Sequence, residues 1–172
     1  GRDQQMDYAN YFGASGFDGA AFSAALADPT RQLLGSAQQA WLQQQLAASS
    51  ATWQLLGQQV LIGRMNIPAP ILFEANQPGS GVTVSAYAAL VQKAQTNPAA
   101  LTPQEQAVLA QPAIPYNLDA WDGYAVARET VLGTAASLNK NLVVLAGDTH
   151  NAWASDLRLL GGTPVGVEFA TS

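Results

Sequence analysis

The hydrophobic and polar positions of the chain, together with its capping residues, predict four helices. Side chains three and four positions apart share one face of a helix, so a one-sided apolar stripe predicts an amphipathic helix. We expect an ordered loop or a short helix around residues 19–27, and helices within LLGSAQQAWLQQQLAAS, over residues 82–96, within LTPQEQAVLAQP and over residues 122–138. In the last of these, Tyr124, Val131 and Leu132 are predicted to face the interior.

Capping residues mark the start of two of these helices. Ser36, with Gln39 three positions later, has the spacing of a capping box, and Trp41, Leu42 and Leu46 follow as an apolar stripe.

The helix within LTPQEQAVLAQP has signals at both ends. Thr102 and Glu105 form a second capping-box pattern, Pro103 stands in the first turn, where its missing N–H costs nothing, and Pro112 ends the helix.

Three other stretches are typical of strands. ATWQLLGQQVLIG, residues 51–63, combines aromatic and aliphatic residues, and TPVGVEFAT predicts a further strand near the end. The short continuous apolar run LVVLAGD is typical of a strand buried on both faces. Residues 64–81 hold three Pro, two Gly and two Asn and therefore predict a loop.

Residues 64–116 together predict an Ala/Gln/Pro-rich insertion that carries two small helices. The simpler interpretation is a surface excursion, and the alternative is a lid over a substrate pocket. Residues 1–172 are otherwise predicted to form a single domain.

Composition narrows the classes of partner. The net charge is −5 with only 7 Lys and Arg, which disfavours a nucleic-acid-binding surface. Cysteine is absent, so disulfides, thiolate nucleophiles and cysteine zinc sites are excluded. No apolar run approaches a membrane span and no targeting segment is visible. Because both ends read as continuing sequence, we expect a fragment of a longer protein.

The candidate chemistry lies at the end of the LVVLAGD run. A strand ending in Gly-Asp delivers Asp148 to the carboxyl edge of a sheet, where open α/β sheets bind ligands. In an extended stretch, Asp148 and His150, the only histidine, would project from one face. A carboxylate and an imidazole placed in this way predict part of a metal site.

Other interpretations stay open, two for Asp148 and His150 and one for a second pair of acids. Asp148 and His150 could form an ordinary surface turn. His150 could be the base of a Ser-His-Asp triad, although no G-x-S-x-G motif presents a nucleophile. Asp119 and Asp122 could act as an acid–base pair, but an Asp at such a place more often caps the following helix.

Four separated motifs resemble the second half of PhoD-type alkaline phosphatases, of the calcineurin-like metallophosphoesterase superfamily. They are LLGSAQQAWLQQQLAASSATWQLLGQQVLI, DAWDGYAVARETVL, NLVVLAGDTHNAWASDL and VGVEFATS, in the family's order. The superfamily's earlier ligand motifs are absent from this chain, and residues 64–116 carry little of the resemblance.

The resemblance implies an α/β fold, namely part of a metallophosphoesterase-type β sandwich flanked by helices. It implies hydrolysis of phosphate esters, as alkaline phosphatase or phosphodiesterase, by metal-activated hydroxide, with divalent or trivalent metal ions such as calcium and iron. Asp148 and His150 match the family's G-D-x-H metal ligands, and His150 is also the expected catalytic contact to a phosphate oxygen. Asp122, Tyr124 and Arg128 match a motif expected to be architectural, whereas Glu168 and Phe169 match an E-F motif without an assigned role.

The resemblance also implies the partners and the compartment. We expect a small phosphoester substrate, the remaining N-terminal part of the parent enzyme, and a periplasmic or extracellular location. The fragment alone is expected to be inactive and to oligomerise through open sheet edges. The competing hypothesis is a non-catalytic binding or structural domain that keeps the fold.

Overall fold

The computed structural model describes residues 5–14, 16–148 and 150–171. Within them, the α-helices are α1 Gly19–Leu26, α2 Ser36–Ala48, α3 Ala69–Asn76, α4 Val84–Thr96, α5 Pro103–Leu109 and α6 Ala125–Ser137. The strands are β1 Phe12–Gly13, β2 Gly16–Phe17, β3 Gln54–Gln58, β4 Asn66–Pro68, β5 Ala113–Pro115, β6 Leu142–Ala146, β7 Trp153–Arg158 and β8 Pro164–Ala170. Short 3₁₀ helices span Tyr8–Tyr11, Pro98–Ala100 and Trp121–Tyr124. Among the described helices, none is long and apolar enough to cross a membrane.

The chain divides into two compact units. The first comprises Gly1–Met6, Gly19–Arg64 and Asn117–Ser172, and the second comprises Asp7–Asp18 and Met65–Tyr116. The predicted insertion therefore lies almost entirely in the second unit, although that unit also includes an earlier segment. The assignment of residues 1–172 to a single domain that carries residues 64–116 as an insertion stays a prediction.

A four-stranded sheet in the order β3-β6-β8-β7 forms the centre of the first unit. β3, β6 and β8 run parallel, and β7 is antiparallel to β8. Helices α2 and α6 cover one face of the sheet, where apolar side chains pack into the core; these include Leu42, Leu46, Val131, Leu132, Leu142, Val144 and Leu157. Full burial of one such aliphatic side chain contributes about 1.5–3 kcal/mol. The prediction of an α/β fold with a partial β core flanked by helices is confirmed.

The other face of the sheet, which we call the open face, is largely uncovered, and it is apolar apart from Asp156 of β7, which pairs with Val167 of β8. Cross-strand pairing places Leu55, Val143 and Val167 in one row, and Leu145 and Phe169 in the next. Leu55 is 68% exposed, Leu145 43% and Phe169 52%. LVVLAGD was predicted to be buried on both faces; this is wrong, because the helices cover only one face.

The helices predicted within the first unit formed, but two details of α2 differ from expectation. Ser36 is the first helical residue rather than the cap, and the N-cap Gly35 makes no side-chain hydrogen bond. Leu42 and Leu46 are buried, whereas Trp41 is 57% exposed. The inward prediction for Tyr124, Val131 and Leu132 is confirmed. The predicted 51–63 strand is shorter, since regular pairing ends at Gln58.

The second unit is built from short helices, two small antiparallel ladders and an aromatic cluster. β1 pairs with β2 and β4 with β5. Phe73 packs against Phe17 at 4.5 Å and Phe12 at 5.4 Å between ring centroids. The Thr102–Glu105 capping box of α5 is confirmed. Residues 64–81 are not a continuous loop, because β4 and α3 lie within them.

Candidate functional site

The carboxyl ends of three parallel strands meet at one edge of the sheet in the first unit. Here the Gln59 carbonyl, just after β3, accepts hydrogen bonds from the backbone N–H groups of Gly147 (3.2 Å) and Asp148 (3.0 Å), just after β6. The Thr171 N–H, just after β8, donates to the Ala146 carbonyl at 3.0 Å. Asp148 therefore stands at the sheet edge where the sequence predicted it, and open α/β sheets bind ligands at such an edge.

Asp148 and His150 are both exposed. The backbone at His150 is left-handed, with φ of 54°, and this conformation is uncommon for a residue with a Cβ. The extended backbone assumed for Asp148 and His150 is therefore wrong, and the alternation of side chains along a strand does not place them on one face. Thr149, between them, lies outside the described residues.

A catalytic metal needs more ligands than these two residues supply. Catalytic zinc sites, for comparison, use about three protein ligands and leave a position open for water or substrate. Among residues 5–14, 16–148 and 150–171, no group of three or more His, Asp or Glu side chains is arranged to hold a metal ion. The described residues thus fit at most part of a metal site.

A cleft of about 540 Å³ lies close to the same edge of the first unit, next to the end of β3. Its lining includes Gln38, Gln58 and Gln59 together with Leu33, Leu34 and Val60. Asp148 and His150 are not among the lining residues.

Residues 59–64, which we call the post-β3 segment, are held by buried polar groups. The Glu168 carboxylate has no exposed surface. It accepts the backbone N–H of Ile62 at 2.8 Å with Oε1 and that of Gly63 at 2.7 Å with Oε2. Arg128, on α6, donates from Nε to the Ile62 carbonyl at 2.6 Å. Glu168 and Arg128 therefore bind adjacent backbone groups of one segment from β8 and from α6.

Further contacts hold the rest of this segment. The Gln58 side-chain amide donates to the Val60 carbonyl, and its Oε1 accepts from the Trp121 indole N–H at 2.9 Å. The Trp121 backbone N–H donates to the Leu61 carbonyl at 3.4 Å. A hydrogen-bonded backbone group therefore occurs at every residue from Gln59 to Gly63.

Burial dominates the electrostatics of this cluster. It raises the pKa of the Glu168 carboxyl, while the two amide hydrogen bonds and the Arg128 charge oppose the rise. Burial likewise lowers the pKa of the Arg128 guanidinium, as does the charge of Arg64, and Glu129 and Asp122 act in the opposite direction. The Arg128 guanidinium also contacts Glu129 at 2.7 Å.

The sequence analysis matched Glu168 and Arg128 to motifs of the family, but it did not predict which groups they contact. Ile62 and Glu168 are 106 positions apart, so no local pattern relates them. One usable signal was present: an acid inside the otherwise apolar run PVGVEFA requires a buried partner.

The two acids before α6 do not cap it. The N-caps of α6 and of the preceding 3₁₀ helix are Tyr124 and Ala120, and neither makes a side-chain hydrogen bond. Asp122 is instead buried in the 3₁₀ helix, 8% exposed. The helix-cap interpretation of Asp119 and Asp122 is therefore wrong.

The fold and the edge define an α/β domain with an acid and an imidazole after the central parallel strand. The chain belongs to the PhoD-like phosphatase family, whose model matches residues 2–172, and the resemblance found in the sequence is confirmed. It is 30% identical over 133 residues to alkaline phosphatase D of Bacillus subtilis (strain 168). That match covers 77% of this chain and 16% of the relative.

A solved structure, titled "Structure of PhoD", is similar to this chain with a TM-score of 0.54 and 29% sequence identity. The match covers 84% of this chain and 21% of that one. The chain therefore spans about a fifth or less of the length of these relatives.

Proposed function

We propose that this chain is part of a metal-dependent phosphoesterase, a phosphatase or phosphodiesterase, to which it contributes Asp148 and His150. The observation that carries the proposal is the position of Asp148 at the carboxyl edge of the parallel strands, in a chain that belongs to a phosphatase family. His150 follows two residues later and is exposed to solvent, so both side chains are accessible to a ligand.

Asp148 and His150 would hold a metal ion together with ligands from outside the described residues. Calcium and iron are the ions we propose, and a bound cation would supply Lewis-acid chemistry. A carboxylate oxygen suits both ions, whereas an imidazole nitrogen suits iron better than calcium. We also propose that His150 contacts a phosphate oxygen of a small phosphoester.

The open face supports the proposal that other parts of the enzyme complete the fold. Leu55, Leu145 and Phe169 expose an apolar surface on a sheet whose opposite face is packed. Isolated apolar side chains at a surface are normal, but a contiguous patch marks a contact. We therefore propose that the preceding part of the parent enzyme covers this face, and that the fragment alone is inactive. A periplasmic or extracellular location belongs to the same proposal.

A second candidate function is a non-catalytic binding or structural domain. The observation that favours it is that the described residues do not bring three potential metal-ligating side chains together.

Replacing Asp148 or His150 separates the two candidates. In the natural polypeptide that contains this chain, Asp148→Ala and His150→Ala should each lower turnover of p-nitrophenyl phosphate by orders of magnitude and reduce the metal content of the purified protein. The control Gln44→Ala changes an exposed side chain on α2, on the side of the sheet opposite the open face, and should change neither quantity. Unchanged turnover and metal content in both alanine variants would overturn the ligand assignment and favour the binding domain.

A further inference from the structure

We infer that Glu168 and Arg128 are positioning residues for the strand end that carries Asp148. Through the post-β3 segment, they fix the Gln59 carbonyl that binds the backbone N–H groups of Gly147 and Asp148. The functional meaning of this inference rests on the proposed role of Asp148, but the geometry does not.

The first step is the set of hydrogen bonds that Glu168 and Arg128 make with the backbone of Ile62 and Gly63. Glu168 uses one oxygen for each of two consecutive N–H groups, and Arg128 takes the carbonyl of Ile62. Because Glu168 belongs to the central strand β8 and Arg128 to the buried face of α6, both groups are fixed by the core itself. Glycine at position 63 leaves room for this approach, since a Cβ there would lie 2.8 Å from Glu168 Oε2 and 3.0 Å from Ser155 Oγ and would displace those side chains.

The second step is the short, hydrogen-bonded connection from Ile62 back to Gln59. Only Val60 and Leu61 lie between the two contacts, and the chain bends at Gln59 and Val60. The carbonyls of Val60 and Leu61 are also hydrogen-bonded. Because every residue from Gln59 to Gly63 is hydrogen-bonded, we expect a shift of Ile62 to displace the Gln59 carbonyl as well.

The third step is the contact with the candidate site. The Gln59 carbonyl accepts two N–H groups, one of them from Asp148 itself. These bonds tie the residues that follow β6 to the residues that follow β3. Glu168 and Arg128 do not touch Asp148; they act on it through five backbone residues.

Amide hydrogen exchange by NMR in this chain tests the inference without any assay of activity. Glu168→Gln keeps the size of the side chain but turns an amide NH₂ toward one of the two N–H groups. We expect exchange at Ile62, Gly63, Gly147 and Asp148 to accelerate by about tenfold, as after loss of one hydrogen bond. Arg128→Lys keeps the charge, loses the guanidinium fork and should act on the same four amides.

The matched control is Val131→Ala, which opens a cavity in the core next to α6 but leaves the polar cluster intact. It should accelerate exchange across the core of the first unit without singling out Gly147 and Asp148. The inference is overturned when both polar variants change only Ile62 and Gly63, or when Val131→Ala reproduces their pattern. If Glu168→Gln does not fold, Arg128→Lys decides alone.

This outcome is independent of the proposed function. Loss of metal in Asp148→Ala with normal exchange in Glu168→Gln would keep the ligand role and reject positioning. The reverse pair of results would keep positioning and reject the ligand role.

Discussion

Glu168 is a carboxyl group with no exposed surface that nevertheless binds two backbone amides. Burial penalises its ionised form, so the pKa of Glu168 lies above the ordinary value despite the amides and Arg128. Replacing a buried charge by an apolar group is often neutral or stabilising, so we expect Glu168 to matter more for positioning the backbone of Ile62 and Gly63 than for stability.

The raised pKa predicts how Glu168 affects stability as pH changes. A carboxyl whose pKa is higher in the folded than in the unfolded protein stabilises fully below the unfolded value, near 4.5, and loses that contribution as pH rises through the folded value. Each unit of elevation corresponds to ~1.4 kcal/mol. The free energy of unfolding of the wild-type chain, measured with urea between about pH 4 and pH 8, should therefore fall relative to that of Glu168→Gln as pH rises. A constant or widening advantage of the wild type would contradict this.

At the scale of elements, helix α5 shows how local chemistry decides a helix start. Thr102 Oγ1 accepts the Glu105 N–H at 3.2 Å, and Glu105 Oε2 accepts the Thr102 N–H at 2.7 Å. Glu105 also pairs with Lys93 of α4 at 2.7 Å. The side-chain hydrogen bond with Lys93 is the main reason that the pKa of Glu105 is lowered.

Thr102→Ala should destabilise the second unit by ~1 kcal/mol because the first turn of α5 loses its side-chain acceptor. Thr102→Ser keeps the hydroxyl, so its free energy of unfolding should lie within a few tenths of a kcal/mol of the wild-type value. Urea unfolding followed by circular dichroism measures both. Equal destabilisation by Ala and Ser would show that the methyl group, rather than the cap, matters.

The sequence predicted the elements whose conformation depends on neighbouring residues, and it missed those that depend on contacts between residues distant in the sequence. The caps of α5 and the apolar side of α6 lie within a few turns and were predicted. In contrast, α3 was missed because its prolines favoured a loop, although Pro70 stands in the first helical turn, where it is tolerated. β7 was missed because WASDLR has no clear alternation, and its pairing with β8 supplies the strand.

The same distinction separates the parts of the candidate site that were predicted from those that were not. Asp148 was placed correctly at the end of β6 because strand ends follow from the apolar run. The left-handed backbone of His150 was not predictable from the apolar run, and neither were the hydrogen bonds from Gly147 and Asp148 to Gln59, which is distant in the sequence. The hydrogen bond from the Ile62 N–H to Glu168 was also not predictable, because it depends on the register of the sheet and on the position of α6.

At the scale of the whole molecule, the sheet is asymmetric. One face is packed by α2 and α6, and the open face presents Leu55, Leu145 and Phe169. Among the described residues, β3 pairs only with β6, so its outer edge is also available. Exposed apolar faces and free edges promote association.

The isolated chain should therefore self-associate, and Phe169→Glu should shift it toward monomer. A charge in the centre of the open face resists desolvation when two such faces meet. Multi-angle light scattering across a range of protein concentrations measures this. The control Leu160→Glu alters a residue that is 67% exposed in the turn between β7 and β8 and should leave the mass unchanged. A monomeric wild-type chain, or an equal effect of Leu160→Glu, would count against association through the open face.

The order in which the strands are synthesised differs from the order in which they lie in the sheet. β8 lies between β6 and β7 yet follows both in the sequence. While a ribosome adds ~5–20 residues per second, β6 and β7 emerge with an unfilled position between them. The nascent unit cannot close its sheet until Pro164–Ala170 has been translated, so a chain stalled earlier would offer unpaired strands to chaperones and proteases.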